Sequence, residues 1–199
     1  MPKVSQEHKT KVKDTITKAA IKNFSKTGYA ITKMDEISKT AEVSKGTLYL
    51  YFQSKENLFE SICKSNQQIL IDNRSGLFQN KSKIKQDLGI FYDNFLKALQ
   101  STQKIRFEAL AESLHNPKLK KIIQKNRKEI EQNVEEFFKG MKKVGFFKNE
   151  SDLSLISSGV IALFDGLVIS ELVGTSHEEN KKTWIKTMMI IFEGTGIKN

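Results

Sequence analysis

The chain has 199 residues, 38% of them hydrophobic and 28% charged, the composition of a soluble globular protein, and its formal net charge is +10. Its longest apolar runs, Val160 to Phe164 and Met188 to Phe192, are far shorter than the roughly 18–20 residues that span a bilayer, and no apolar core follows the lysines of the first 13 residues; neither a membrane helix nor a secretory signal is expected. A single cysteine, Cys63, excludes an internal disulfide or a multi-thiolate metal site and fits a reducing compartment, the cytoplasm, while two prolines argue for helices over the many turns of an all-β fold.

Val12, Ile16, Ala19, Ala20 and Phe24 recur at helical spacing, which predicts a first helix from about Gln6 to Lys26 with Gly28 placed as its C-cap. Thr32, followed three residues later by Asp35, predicts the cap of a short second helix ending near Thr40, with Met34, Ile37 and Ala41 inward. Ser44 caps a third helix, Lys45 to Tyr51, with Leu48 and Phe52 turned to the core, and Ser54 caps a fourth that carries Leu58, Phe59, Ile62, Asn66 and Ile69. Ile84, Leu88, Phe91, Phe95 and Leu99 mark a fifth helix. Residues from Ile105 to Leu114 form a short sixth, closed by Asn116-Pro117, and those from Leu119 to Met141 a long seventh. Two helices that are apolar around more of their circumference, Asp152 to Val173 and His177 to Phe192, complete an all-α chain without internal repeats.

The charge is uneven. Residues 1–55 hold eleven Lys against five acids (Glu7, Asp14, Asp35, Glu36 and Glu42), a surplus of six that points to a polyanionic partner. A supporting helix, a short helix, a tight turn and a second short helix, rich in Lys, is the helix-turn-helix pattern that inserts its second helix into the DNA major groove. The run from Ile31 to Phe59, ITKMDEISKTAEVSKGTLYLYFQSKENLF, resembles the DNA-binding domain of the TetR family of transcriptional regulators. Its most distinctive part, VSKGTLYLYFQSKENL from Val43 to Leu58, resembles the family's recognition helix and the start of the fourth helix. Beyond it the chain is similar to the family in helix pattern and in ALFDGLV, residues 162–168, a segment many members use to dimerise. One position departs: Glu42 stands where the family commonly has Gly, at a turn whose positive φ costs a side chain about 1 kcal/mol.

The resemblance implies an N-terminal three-helix DNA-binding domain with the helix-turn-helix (residues 1–53) and a larger helical effector-binding and dimerisation domain (residues 54–199). It implies a cytoplasmic homodimer that represses transcription at a palindromic double-stranded DNA operator and is released by a small apolar effector, such as a fatty acyl compound or a drug. The rival is a helical enzyme or small-molecule carrier retaining a DNA-binding domain. It would need a polar catalytic constellation, and none is found: GTGIKN, residues 194–199, lacks the ending of a phosphate-binding loop, and His8, His115 and His177 lie too far apart in sequence for a metal site. No cofactor motif and no membrane partner are expected.

For DNA, Gly46 permits close backbone approach and Lys45, Thr47 and Tyr49 are expected to face the groove, while Thr32, Ser44, Tyr51 and Lys55 are suited to caps and phosphates. Arg, the usual reader of guanine, is missing from residues 1–73, which shifts affinity toward phosphates and DNA shape. For a ligand, the large side chains Phe59, Cys63, Phe91, Phe95, Phe107, Leu110, Phe137, Phe138 and Met141 exceed what one helical layer needs, with Asn66, Glu108 and Asn126 as polar contacts. For dimerisation, Ser158, Gly159, Ala162 and Gly166 let another helix approach, and Trp184, Ile185, Met188 and Phe192 form the complementary stripe.

Overall fold

The computed structural model describes residues 5–148 and 150–195; the last residues of GTGIKN, 196–199, and the lysine at position 3 lie outside this range. The described residues form nine α-helices and no strand: α1 Gln6–Thr27, α2 Met34–Thr40, α3 Lys45–Tyr51, α4 Lys55–Asn73, α5 Ile84–Leu99, α6 Gln103–Glu112, α7 Pro117–Lys143, α8 Leu153–Leu172 and α9 His177–Thr195. A short 3-10 turn, Lys81–Lys83, precedes α5.

Packing divides the chain into two compact units, residues 1–67 with 99–126 and residues 68–98 with 127–199, so the divisions fall inside α4 and α7 and before the last residue of α5. The helix-turn-helix is therefore not packed alone. In the first unit α1 packs on α2 and α6, and the core that joins Ile16, Ala20, Phe24, Ile37, Leu48, Leu58 and Ile62 also takes in Ile105, Ala109 and Leu119. Polar contacts join the same elements. Thr17 and Ser61 share a hydroxyl hydrogen bond of 3.0 Å, Ser25 Oγ donates to the Ser101 carbonyl at 3.2 Å, and Asn116 Nδ2 donates to Glu56 Oε1 at 2.9 Å.

The α1–α2 turn is set by two residues far apart in sequence. Gly28 takes φ 90° and ψ 153°, a region essentially restricted to glycine, and its N–H donates to the Phe24 carbonyl. The Glu108 carboxylate from α6 lies 3.2 Å from where a Gly28 Cβ would stand and accepts the Tyr29 N–H at 2.6 Å. Gly28→Ala is expected to cost roughly 2 kcal/mol, from the strained backbone and the displaced carboxylate, read as a lowered midpoint in urea unfolding. Unchanged stability would mean that the turn relaxes freely.

In the second unit an aromatic core joins α5, α7, α8 and α9. Phe95 and Phe164 lie 4.9 Å apart between centroids, Phe164 meets Trp184 edge-on at 5.7 Å, and Phe147 and Phe192 lie 5.4 Å apart. Trp184 Nε1 donates to the Leu88 carbonyl at 3.1 Å and Asn180 Nδ2 to the Leu167 carbonyl at 3.2 Å, so both buried donors are satisfied. α8 is long and apolar enough to cross a membrane by length and composition, which counting uninterrupted apolar runs missed. Val160, Phe164, Leu167 and Val168 bury one face of it against the rest of the unit, the pattern of a core helix.

Candidate nucleic-acid interface

The third helix begins where Ser44 Oγ accepts the Thr47 N–H at 3.0 Å, a cap that also ties the Thr47 hydroxyl at 2.9 Å. The turn before it holds Glu42 at φ 55°, the positive value expected there. Leu48 is fully buried and Phe52 nearly so, and these two anchor α3 to the first unit's core. At 100° per residue the direction opposite Leu48 falls between Gly46 and Leu50, each about 20° from it, with Tyr49 and Thr47 about 80° to either side, while Lys45, about 120° away, is exposed at the start of the helix. Tyr49 is 47% exposed and Leu50 79%.

This outward arc adds a residue to the expected face. Thr47 and Tyr49 flank it, Thr47 half-buried with its hydroxyl bonded to Ser44, and Leu50, absent from the expected set, stands beside Gly46. The missing signal was available: a helical wheel centred opposite Leu48 points at Gly46 and Leu50. Lys45 and Tyr49 are exposed as expected. The Lys45 ammonium pairs with the Asp35 carboxylate of α2, and that hydrogen bond raises its pKa, so Lys45 stays cationic.

Three positions expected at phosphates or caps are engaged within the protein. Thr32 is corrected outright. It is buried, and its hydroxyl donates to the Gly28 carbonyl at 2.6 Å, so it neither caps α2 nor reaches solvent. The N-cap is Lys33, one residue on, whose N–H donates to Glu36 Oε2 at 3.1 Å. Lys55 Nζ donates to the carbonyls of Tyr29 at 3.0 Å and Ala30 at 2.6 Å and lies 5.2 Å from the Tyr29 ring centroid. It clamps the start of α4 to the α1–α2 turn. Tyr51 is half-buried with its ring against the core, and Ser54 Oγ accepts the Asn57 N–H at 3.4 Å, the expected cap of α4.

The residues proposed for a ligand fall in both units. Phe59 and Cys63 are buried in the first unit's core. Three others there are taken up differently from expectation. Asn66 Nδ2 donates to Thr102 Oγ1 at 3.1 Å, Glu108 accepts the Tyr29 N–H, and Leu110 is 51% exposed. Phe107 is half-buried, and Asn126 Oδ1 accepts from Gln67 at 2.7 Å. In the second unit Phe91 stacks on Phe95 with centroids 5.5 Å apart, Phe78 bridges Phe91 and Phe137, and Phe138 and Met141 are buried. The Tyr92 hydroxyl, also in this unit, is buried without a hydrogen-bond partner, and burial holds its pKa above the ordinary value.

The residues proposed for dimerisation separate by helix. On α8, Ser158, Gly159, Ala162 and Gly166 are exposed, in line with Leu155, Ile169 and Val173 at spacings of three and four. A Cβ added at Gly159 or Gly166 would meet nothing within 4 Å. On α9 the expectation is overturned for Trp184, Met188 and Phe192, which are buried in their own unit. Ile185 is half-buried, and the exposed apolar residue of that helix is Ile190, 68% exposed.

Two family models match this chain: residues 16–62 match "Bacterial regulatory proteins, tetR family", and residues 91–187 match "BetI-type transcriptional repressor, C-terminal". Together they take in more than two thirds of the chain. The chain is 48% identical over 50 residues to the HTH-type transcriptional regulator YhgD of Bacillus subtilis (strain 168), a match covering 25% of this chain and about a quarter, 26%, of that relative. It is 22% identical over 172 residues to the fatty acid metabolism regulator protein of the same organism, covering 85% of this chain and 81% of the other. In fold it is similar to a TetR-family transcriptional regulator from Syntrophomonas wolfei, with a TM-score of 0.78, 16% identity, and coverage of 96% of this chain and 100% of that one.

Proposed function

This chain belongs to the TetR family of bacterial regulatory proteins, and from that premise we propose that it is a dimeric repressor, working in the cytoplasm, which binds a palindromic operator through α3 and is released by a small apolar effector. It is a helix-turn-helix transcriptional regulator and not an enzyme. The observation that carries the proposal is the outward arc of α3. Lys45, Gly46, Tyr49 and Leu50 are presented on a helix too short to stand alone, held by the buried Leu48 and Phe52 against a core that recruits α6. In this reading residues 1–53 carry DNA recognition, while α6 and the start of α7 brace them.

Phosphate contacts supply most of the affinity in this reading, since no arginine precedes Arg74 and the lysines at positions 9, 11, 13, 18, 22, 26, 33, 39 and 45 are all exposed. Each neutralised phosphate releases counterions, so four contacts predict a loss of about 100-fold in affinity between about 50 and 200 mM salt. The test is anisotropy titration of the duplex recovered by selecting this protein against a random-sequence pool. A dependence close to flat refutes a phosphate-dominated interface.

Residues 54–199 serve sensing and assembly in this proposal. Two features support a largely apolar effector, the aromatic side chains around Phe91 and Phe95 and the name of the fatty acid metabolism regulator among the relatives, and the buried Tyr92 hydroxyl without a partner is suited to a polar group on it. A fatty acyl compound or a hydrophobic drug fits that chemistry. The residues of α4 belong to both units, and this helix follows directly on the helix-turn-helix, so it is one covalent route by which an effector would alter the recognition helices. A 100-fold preference for the DNA-free arrangement, about 2.7 kcal/mol, is enough for release. Mass spectrometry of ligand retained through purification identifies the effector class.

A further inference from the structure

Leu50 is 79% exposed on a helix whose neighbouring positions are used, Leu48 and Phe52 for the core and Lys45 for a pair with Asp35. It contributes nothing visible to packing. A large apolar side chain held in water gains only when a partner covers it. Its place on α3 sets what that partner is. It lies on the outward arc next to Gly46, where the absence of a side chain lets the helix backbone come close enough for a residue as short as leucine to touch the groove floor. In the major groove each base edge presents donors and acceptors, which Leu50 cannot answer, and only thymine presents an apolar group, its C5 methyl.

We infer that Leu50 is a specificity-determining residue that reads the C5 methyl of one thymine in each half-site of the operator. This rests on the proposal that α3 enters the major groove. Lys45 and Tyr49 then supply the polar contacts of the same face, and the half-site contains a thymine at the position Leu50 covers that cytosine or a purine cannot replace without loss.

The experiment uses the full chain and the duplex selected from a random-sequence pool, with thymines replaced by deoxyuridine one symmetric pair at a time, which removes only the methyl. At one position the wild-type protein should lose affinity by about fourfold per half-site, or about fifteenfold for the pair, the worth of one buried methyl-sized group at each. Leu50→Ala should lose a similar factor on the thymine duplex and show no further loss with deoxyuridine at that position, so that the two changes are fully coupled. Tyr49→Ala should keep the deoxyuridine effect. Because Leu50 is exposed, its substitution leaves the melting temperature nearly unchanged, which separates recognition from folding. If deoxyuridine is tolerated at every position, or if Leu50→Ala keeps the full deoxyuridine penalty, the inference is overturned while selective binding still supports a DNA-reading α3. If selection yields no preferred sequence, both fall together.

Discussion

Gly46→Ala is expected to make the protein more stable and a much poorer DNA binder. In the free protein the added Cβ would have one neighbour, Ser44 Oγ at 3.7 Å, an ordinary van der Waals contact, so nothing in the fold requires glycine at this position. A glycine inside a helix costs about 0.5–1 kcal/mol relative to alanine, and removing it should raise the melting temperature by about 2–3 °C in a chain of this size. The same Cβ would stand at the centre of the outward arc, between Tyr49 and Leu50. On DNA it would hold the helix away from the bases and lengthen the contacts on either side. For a dimer carrying the change twice, the expected loss of operator affinity is at least about 100-fold, or roughly 2.7 kcal/mol. Thermal denaturation and anisotropy titration on one preparation read both effects. Affinity equal to wild type would show that α3 does not approach DNA through Gly46, and the assigned face would be wrong.

The helix boundaries were legible because chain-local chemistry sets them. Ser44 and Asp152 accept the backbone N–H three residues on, and Gly28 ends α1 in a conformation that only glycine adopts readily. The misplaced cap of α2 has the same local origin. Thr32 is the better cap by residue type, since a lysine side chain cannot accept a backbone N–H, but its buried hydroxyl is taken by the Gly28 carbonyl, and Glu36 accepting the Lys33 N–H starts the helix one residue on. What could not be read was long-range. Nothing near Glu108 in sequence announces that its carboxylate completes the turn at Tyr29, 79 residues earlier, and a polar residue on an apolar stripe reads equally well as a ligand contact. Trp184, Met188 and Phe192 form a clear apolar stripe, but periodicity identifies a face without saying whether it meets the chain's own core or a partner. Leu50 is absent from the expected face for a different reason: no local motif marks it, and only its angle on the helix, nearly opposite Leu48, points outward.

On α8 the exposed stripe does not meet the chain's own core, and that leads to the assembly prediction. Leu155, Gly159, Ala162, Gly166, Ile169 and Val173 follow one another at alternating spacings of four and three, and all are exposed in the single chain. Leu155 is 71% and Val173 79% exposed. Leu155 at one end, Ile169 and Val173 at the other and the small Gly159, Ala162 and Gly166 between them make a strip on which a second helix can lie close, and burying it removes apolar surface from water. Gly166→Leu tests this without disturbing the protomer. A Cβ at Gly166 meets nothing within 4 Å, so the new side chain projects into open space, and leucine favours a helix over glycine by roughly 0.5–1 kcal/mol. The protomer should therefore fold at least as well as wild type. A partner helix seated on the strip would meet four extra carbons at its closest approach, and the dimer should weaken by at least about 100-fold. Sedimentation should then find a species near the 22.7 kDa of one chain at micromolar concentration. Because a palindromic site is held by two recognition helices about 34–36 Å apart, the monomer should also lose most of its operator affinity while keeping its helical circular dichroism. A stable dimer in this variant would move the interface off α8 and leave Ile190 on α9 as the next exposed apolar contact to substitute.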